Sequence, residues 1–522
     1  MQIPITLIAQ TVPSETASDL IERARAAAQV NQNETSGNLF KLALQVNPGM
    51  RAVLLREYAD QLTYSNRAAE AVPLYAEVLA RTDLAEGEEK QARRGYALAL
   101  SWSGQHNAAI SQYNSLISSS PEDRNARLDR GKVRGRARQY AFAEADYRYL
   151  LTRNSDDREA RHGLADIQSL MGHPRAAIVT LSPIASSADP RTVFLLARAQ
   201  QWSGRGDFAG LTLTHSSNLE DAETARLGLE IAKSRAPLLV LSARTSGQSD
   251  RTTIREVAAR QSLIGPAALE LIGVQASRER FHQRGGDTVT VTRPGAHARL
   301  RLSKVVTVSA EGAIAIQTGT AGDKYYPLFN VYGTVLPSDV LRIDIGLSRT
   351  TFDSIRALKR RIDVTELGGS VDLGSDASWK VSTRANLQHL SDGNKRLWAQ
   401  GEVRRRLAWS PNLFLGLRGT AFRYDKLLDN GYYNPRSLRA FELTSQAWGR
   451  IGPGYFDLRA SAGIEHASPG GRKMIYSGEA RLTQPLTSRI EGEVFVNRFS
   501  SRFNTNSGFA RTSVGTNLRV RW

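Results

Sequence analysis

Hydrophobic and polar residues alternate along residues 508–522, at the end of the chain. Successive side chains of a β-strand point to opposite faces, so this segment has an apolar face ending in Leu518, Val520 and Trp522, and an arginine-rich polar face. The same alternation recurs upstream, most clearly in residues 341–348, 379–388, 413–421, 456–465 and 490–497. Such a series predicts an antiparallel transmembrane β-barrel, with apolar side chains toward lipid and polar side chains toward a lumen.

The connections between these segments alternate in length. Short turns are predicted at residues 337–339, 374–377, 410–412, 452–454 and 486–488. Longer polar loops are predicted at residues 279–287, 318–324, 353–357, 425–436, 466–472 and 500–507. This alternation is typical of a barrel with short periplasmic turns and longer outer loops. Residues 236–522 are therefore predicted to form a barrel of roughly sixteen strands, wide enough for an aqueous channel.

The N-terminal half, residues 14–235, has a helical pattern that repeats every 34 residues. Small residues recur at this spacing at Ala97, Gly131 and Ala165, and again at Ala109, Ala143 and Ala177. Small residues at two fixed positions of a 34-residue helical unit are typical of tetratricopeptide repeats. The predicted fold class is therefore α+β multidomain: an all-α tetratricopeptide solenoid, whose concave face suits a partner, followed by the barrel.

Four aromatic residues of the repeats allow two interpretations. They are Trp102, Tyr113, Tyr147 and Trp202. Packing between neighbouring repeats is the favoured interpretation, and stacking against carbohydrate on the concave face is the alternative.

Composition narrows the class of protein. The net charge is +18, and nearly all of the excess lies after residue 236. The basic residues alternate with apolar ones along strands instead of clustering, so no nucleic-acid partner is predicted. The chain contains no cysteine, which excludes disulfides and thiolate metal sites, and neither a metal nor a cofactor is expected.

The start of the chain carries a weak targeting pattern. Residues 1–13 contain a short apolar run without a basic beginning, and we interpret them as a possible signal remnant or a disordered start. No stretch elsewhere approaches the ~20 apolar residues of a membrane-spanning helix.

The inward face of the predicted barrel is rich in arginine and also carries carboxylates. One interpretation is that these charges pair across strands and support the wall, and the other is a positive lumen that attracts anionic solutes. Arginine on the lipid-facing side is not expected because of its insertion cost. The predicted pore-lining residues are Arg342, Arg384, Arg404, Arg406, Arg418, Arg459, Arg481, Arg511, Arg519, Arg521, Glu491 and Glu493.

The sequence gives little indication of an enzyme, and no catalytic residue is assigned. Phosphate-binding glycine loops, zinc-ligand clusters and nucleophile elbows do not stand out. The weaker alternative is a hydrolase that pairs one of four histidines with a serine such as Ser391 or Ser468; the histidines are His282, His297, His389 and His466.

A local motif resembles a known family. Residues 430–436 read NGYYNPR and contain Tyr432, Tyr433, Asn434 and Pro435, ahead of a predicted strand at 438–450. This loop and the two-domain order resemble bacterial outer-membrane exopolysaccharide export porins, of the poly-N-acetylglucosamine porin and cellulose export types. The solenoid is shorter than in those exporters. The chain's terminal Leu518, Val520 and Trp522 resemble the assembly signal of bacterial outer-membrane proteins.

The resemblance implies passive export of a polysaccharide, neutral or acidic because the lumen is basic. It also implies a bacterial outer-membrane location with the solenoid in the periplasm, where the solenoid would dock the polymer or its synthesis and modification proteins. The barrel assembly machinery and outer-membrane lipid would be further partners. Tyrosines of the loop would stack on sugars or gate the pore, or else anchor the loop at the membrane interface. The alternative function is an adhesion, assembly or phage-receptor-like protein whose pore is plugged by loop 425–436 or by the N-terminal segment.

Overall fold

The structure is a computed structural model that describes residues 16–186, 189–214, 221–265, 268–320, 322–375, 377–500 and 510–522. The expectations for residues 1–13 and for most of the loop at 500–507 lie outside this part. The chain divides into two compact units, one reaching Gln168 and including Thr180–Ile184, the other formed by Ser169–Val179 and the chain from Ala185. Within the described part, no helix is both long and apolar enough to span a membrane.

The N-terminal region is helical, as its period predicts. Among the described residues, its helices are α1 Ala17–Gln29, α2 Asn33–Val46, α3 Arg51–Tyr64, α4 Ala68–Leu79, α5 Glu86–Trp102, α6 His106–Ser119, α7 Arg124–Arg136, α8 Tyr140–Arg153, α9 Arg158–Leu170, α10 Pro174–Leu181, α11 Pro190–Trp202, α12 Gly206–Thr214 and α13 Ala222–Ser234. Local signals set these boundaries. The carboxylate of Asp123, for example, accepts a hydrogen bond of 2.9 Å from the Ala126 N–H at the start of α7. Gly104, with φ +84°, follows the end of α5, where a left-handed residue satisfies the helix terminus.

The 34-residue pattern places small residues where helices touch. The alanines that define it are at most 1% exposed, namely Ala97, Ala109, Ala143, Ala165 and Ala177. A Cβ on Gly163 would lie 2.4 Å from the ring of the buried Tyr147, and one on Gly131 would lie 2.9 Å from it. The absence of a side chain at two glycines therefore makes the space that the tyrosine of α8 fills.

A buried carboxylate connects the beginnings of α7 and α9. The Asp157 side chain is 2% exposed, and Arg124 donates two hydrogen bonds to it, of 2.7 Å from Nε and 2.6 Å from Nη2. The Ala160 N–H donates a third, at 3.1 Å. Burial raises the pKa of Asp157, but the hydrogen bonds from Arg124 and the backbone outweigh it and hold the pKa below its ordinary value of 3.8.

We expect Asp157→Asn to destabilise the helices at neutral pH by about 1–2 kcal/mol. A lowered folded-state pKa means that the stabilisation is fully present above the ordinary pKa and is lost as the pH falls through the folded value. Thermal melting of the full-length protein in detergent, followed by far-ultraviolet circular dichroism, measures the melting temperature. The difference in melting temperature between wild type and variant should shrink from about pH 7 to about pH 3. The exposed neighbour Asp156, changed to asparagine, is the control. A difference that stays constant with pH would contradict the assignment.

The C-terminal region is a closed antiparallel barrel of sixteen strands, confirming the predicted fold class. Its strands are β1 Leu238–Gln248, β2 Thr252–Ile264, β3 Leu269–Gln283, β4 Thr288–Arg301, β5 Val306–Gly319, β6 Lys324–Ser338, β7 Leu341–Thr351, β8 Asp363–Gly374, β9 Trp379–Leu390, β10 Lys395–Trp409, β11 Asn412–Tyr424, β12 Ser437–Ile451, β13 Gly454–Ser468, β14 Gly471–Pro485, β15 Ile490–Phe499 and β16 Arg511–Arg521. One further helix, α14 at Ile355–Lys359, lies between β7 and β8. Closure pairs the first strand with the last, so that Leu241 lies opposite Leu518 and Leu239 opposite Val520.

The outer face of the barrel is apolar. Aliphatic and aromatic side chains there are solvent-exposed, for example Val274 at 59%, Leu417 at 68% and Phe441 at 73%. Trp522, at the end of the chain, is half exposed. A closed antiparallel barrel with such a surface fits an outer-membrane protein.

The loop lengths differ in part from expectation. The predicted long loop at 466–472 is wrong, because β13 and β14 extend through it and leave only Pro469 and Gly470 between them. The predicted loop at 279–287 is likewise mostly strand, since β3 continues to Gln283. Among the described connections, two are long: residues 352–362 and 425–436. They lie at the same end of the barrel, which we call the long-loop end.

Candidate functional site: the barrel lumen and its capped mouth

The lumen wall carries ion pairs between neighbouring strands. Arg418 on β11 lies in register with Glu402 on β10 and Glu442 on β12. Its guanidinium is 3.1 Å from the Glu402 carboxylate and 3.8 Å from that of Glu442. Residues opposite each other on one face of a sheet lie about 5 Å apart, which is the spacing these pairs need. Glu442 is only 4% exposed, and its carboxylate also accepts a hydrogen bond of 2.6 Å from the Ser461 hydroxyl.

Other pairs lie along single strands. Residues i and i+2 of a strand share a face, so an acidic and a basic residue at this spacing meet on the lumen wall. The described strands contain three such pairs, at N···O distances of 2.9, 2.8 and 2.5 Å: Arg342 with Asp344, Arg459 with Asp457, and Arg481 with Glu479.

The last two strands add a cluster around a buried carboxylate. Glu493 on β15 is 5% exposed and accepts hydrogen bonds from Asn517 at 2.6 Å and Arg519 at 3.0 Å. Glu491 pairs with Arg521 at 2.9 Å. Both carboxylates were predicted to line the pore, and the structure places them against arginines of β16.

The remaining arginines of the predicted set lie near aromatic and amide groups. Arg404 donates to the Gln446 side chain at 3.2 Å and lies 5.1 Å from the Phe414 ring centroid. Arg406 lies 4.6 Å from the same ring. The Arg384 side chain makes no hydrogen bond and no ion pair with the described residues, so it presents an unneutralised charge to the lumen.

The described residues line at least two cavities in the lumen. The first, of 780 Å³, is bounded by strands β8 to β15 and is lined by six basic side chains, four carboxylates, hydroxyls, amides and aromatic rings. Its charged residues are Lys380, Arg384, Arg404, Arg418, Arg459, Arg481, Asp372, Glu402, Asp457 and Glu479. The second cavity, of 620 Å³, is bounded by β1 to β7 and β16 and contains the ion pairs of Arg260 with Glu311 and Arg293 with Glu279.

Residues 352–362, which include α14, turn into the barrel. Ile355, Ala357 and Leu358 are at most 2% exposed. Ile355 and Leu358 pack with wall residues such as Phe281 and Val289. The loop expected at 353–357 is therefore present, but it is largely buried instead of polar and outward. The signal that could have identified this segment is its apolar spacing, because Ile355, Leu358 and Ile362 recur every three to four residues within an otherwise basic stretch.

The second long loop, residues 425–436, packs against this segment, and together the two form what we call the cap. The rings of Phe352 and Tyr432 stack in parallel, with centroids 4.6 Å apart and an interplanar angle of 7°. Arg356 makes two hydrogen bonds of 2.6 Å to the Asp429 carboxylate. The two loops, distant in sequence, thus pack together at the long-loop end of the lumen.

A glycine permits the close approach of the two loops. Gly431 has φ +87°, and a Cβ there would lie 2.5 Å from the Arg356 Cβ. The Gly431 carbonyl accepts a hydrogen bond of 2.5 Å from the Ser354 hydroxyl. A residue with a side chain at this position would separate the loops.

The tyrosine motif contributes to the cap. Tyr432 is 5% exposed and its hydroxyl donates to Asp392 at 2.8 Å. Burial raises its pKa above the usual range. Tyr433 packs against the cap cluster, the buried apolar cluster that contains Phe352 and Tyr432. Asn434 donates to the Leu428 carbonyl at 2.9 Å, and the Pro435 carbonyl accepts from the Tyr424 N–H at 3.4 Å. In this position, Tyr432 packs inside the protein and does not offer its ring to a sugar.

The cap is also attached to the wall. Arg511 on β16, from the predicted pore-lining set, pairs with Asp353. Gln248 on β1 donates to the Asp353 carbonyl at 3.1 Å. Lys359 pairs at 2.6 Å with Asp287, in the β3–β4 turn. The cap therefore spans the mouth from β16 to β4.

The structure does not assemble the hydrolase alternative. Within the described part, neither His282 nor His466 hydrogen-bonds to a serine, and Ser391 donates to a backbone carbonyl. The histidine that meets a serine is His297, whose Nε2 is 3.0 Å from the Ser262 hydroxyl. Its Nδ1 has no carboxylate partner among the described residues. The described residues also contain no group of three metal-ligating side chains.

The four aromatic residues of the repeats fall into two classes. Tyr113 and Tyr147 are at most 3% exposed and pack between helices. Trp102 and Trp202 are 45% and 47% exposed. An edge-to-face contact joins Trp102 to Tyr64, with ring centroids 5.9 Å apart. The two tryptophans keep the stacking alternative open.

No protein-family model matches the chain, and no curated protein matches its sequence. A solved structure described as a bacterial polysaccharide outer membrane secretin is 16% identical, with a TM-score of 0.44, over 55% of this chain and 99% of that one. A tetratricopeptide repeat protein from Parabacteroides merdae is 19% identical, with a TM-score of 0.35, over 42% and 89%. The type IV pilus biogenesis factor PilW is 18% identical, with a TM-score of 0.30, over 33% and 77%. These identities and TM-scores are too low to transfer a function to this chain.

Proposed function

We propose that this chain is an outer-membrane porin that exports a polysaccharide through the barrel of residues 236–522. The repeats of residues 14–235 would lie in the periplasm and dock the polymer or the proteins that make or modify it. The observation that carries the proposal is the lumen wall: a closed sixteen-strand barrel lined by ion-paired charges, amides and hydroxyls around cavities of 780 and 620 Å³. Such a wall suits a hydrated, hydroxyl-rich chain.

The paired charges suit passive sliding. An arginine held by a carboxylate still offers N–H donors, and the carboxylate still offers acceptors, so sugar hydroxyls can exchange partners along the wall. Because most of these charges have a partner, few groups are free to bind the polymer tightly enough to stop it. Basic residues exceed acidic ones around the larger cavity, and Arg384 is unneutralised, which favours a neutral or acidic glycan over a cationic one.

Export requires the cap to move. The cap packs across the long-loop end, and its charged contacts, such as Arg356 with Asp429 and Lys359 with Asp287, lie at the surface. Exposed ion pairs contribute about 0–1 kcal/mol each, so the arriving polymer or a partner needs to overcome mainly the buried packing of the cap. That packing joins Phe352 to Tyr432, and it joins Ile355 and Leu358 to the wall.

Cross-linking the cap to the barrel wall tests this function. Because the chain contains no cysteine, a thiol reagent reacts only with the cysteines that are introduced. We expect a Lys359→Cys, Asp287→Cys protein, treated on cells with a reducible bis-maleimide, to stop polymer secretion, because the mouth can no longer open. Reduction should restore it. Each single variant, treated identically, is the control and should secrete normally. Unchanged secretion with the cap fully cross-linked would contradict export through this mouth.

The cap also favours a second candidate: a plugged barrel that serves adhesion, assembly or phage attachment. In that case deletion of the gene leaves polymer secretion intact. Purified protein then gives no conductance in planar bilayers, with or without an intact cap.

A further inference from the structure

Basic side chains also lie on the outside of the barrel at its long-loop end. On β12, Leu438 and Ala440 are at most 1% exposed and pack in the cap cluster, so the residue between them, Arg439, points outward with the exposed Phe441. On β14, the buried Ile475 faces inward and Met474 is 79% exposed, which places Arg472 on the outer face. At this end of the barrel, therefore, arginine lies on the outer face as well as on the lumen wall.

Two arginines and a histidine form a row across β12, β13 and β14. Arg439 lies in register with His466 on β13, and His466 with Arg472 on β14. Directly opposed residues of neighbouring strands are about 5 Å apart, so the row spans roughly 10 Å. Arg423 lies near it, one residue before the end of β11. All sit within a few residues of the strand ends, where the cost of a lipid-facing charge is small.

The outer charges differ from those of the lumen in their pairing. Most arginines of the wall meet carboxylates, as Arg418 meets Glu402. Among the described residues, Arg423, Arg439 and Arg472 make no ion pair and no side-chain hydrogen bond. This face therefore presents uncompensated positive charge to whatever surrounds the barrel.

An apolar groove on the outer face begins at the same place. It measures 820 Å³ and is lined by Ala399, Ala421, Gly419 and Phe441, with Arg439 at one end. Ala421 on β11 lies in register with Arg439 on β12 and with Ala399 on β10, so the groove begins directly beside the basic row. Positive charge at the membrane surface and an apolar channel leading away from it match a lipid with an anionic headgroup.

We propose that this surface binds a phosphorylated lipid of the outer leaflet, with its phosphates at Arg439 and Arg472 and an acyl chain in the groove. Guanidinium groups bind phosphate oxygens bidentately, and the approximate 10 Å of the row accommodates two phosphates. The inference requires a membrane-spanning barrel with its long loops outward, but it does not depend on polysaccharide export.

Native mass spectrometry of the full-length protein in detergent tests this. The probe is lipid A with both phosphates, compared with the same lipid after phosphatase treatment. We expect an Arg439→Gln, Arg472→Gln protein to bind the phosphorylated lipid at least about tenfold more weakly than wild type, since charge-assisted hydrogen bonds are lost. Arg405→Gln is the matched control: this arginine also faces outward, on β10, but near the opposite end, beside Trp379. It should leave binding unchanged.

Two results would overturn the proposal. One is equal binding of the phosphorylated and dephosphorylated lipids to wild type. The other is full competition by inorganic phosphate at the same phosphate concentration, which would show anion binding without a lipid site. Circular dichroism of the variants confirms that the barrel is folded, so that weaker binding reports the lost arginines.

Discussion

Replacing both Phe352 and Tyr432 with alanine opens the pore, and single-channel conductance in planar bilayers rises several-fold over wild type. The two rings form the buried centre of the cap, at 2% and 5% exposure. Truncating a buried phenylalanine costs about 3–5 kcal/mol, and the stacked pair adds about 0.5–1.5 kcal/mol. The surface ion pairs that remain, worth about 0–1 kcal/mol each, do not hold the two loops together.

The matched control for the cap is Phe441→Ala. This phenylalanine is 73% exposed on the outer face of β12, close in sequence to the cap but outside it. Its conductance should equal that of wild type. If the double variant also conducts like wild type, the cap does not close the pore. A barrel that stays silent in every variant supports the plugged alternative.

Arg418→Glu, made in the cap-opened protein, shifts ion selectivity toward cations. The guanidinium is replaced by a carboxylate next to Glu402 and Glu442, which then repel each other across neighbouring strands. Because Glu442 is almost fully buried, loss of its partner also destabilises the barrel, by about 3–5 kcal/mol. The reversal potential under a salt gradient measures the selectivity, and urea unfolding measures the stability.

Arg418→Gln and Arg405→Glu are the controls for this result. The glutamine removes the charge without adding repulsion, so its selectivity should lie between those of wild type and the glutamate variant. The glutamate at position 405 changes the net charge equally but on the outer face, and should leave selectivity unchanged. Identical reversal potentials for wild type and Arg418→Glu would show that this part of the wall does not determine which ions pass.

The lumen wall and the cap are separate elements with separate effects on transport. The wall determines which solutes move, through its balance of paired and unpaired charge, and the cap determines whether they move. Wall variants should therefore alter selectivity with little effect on opening, while cap variants should do the reverse.

The sequence by itself determined the strands, the faces and the repeats. A period of two and a period of 34 are local patterns, and each residue's face in a strand follows from its neighbours alone. The alternation placed Arg418, Arg459 and Arg519 on the polar face without any knowledge of their partners. It also predicted the closing strand β16 almost to its ends.

Only the tertiary structure decided what those faces meet. Arg418 could pair with a carboxylate or stay free, and the choice depends on the register of β10 and β12. The cap joins Phe352 to Tyr432, eighty residues apart, and no local pattern connects them. The outward Arg439 is tolerable because it lies near a strand end, a position that depends on where β12 begins. Pairing, closure and depth in the membrane are long-range properties, and local alternation carries no information about them.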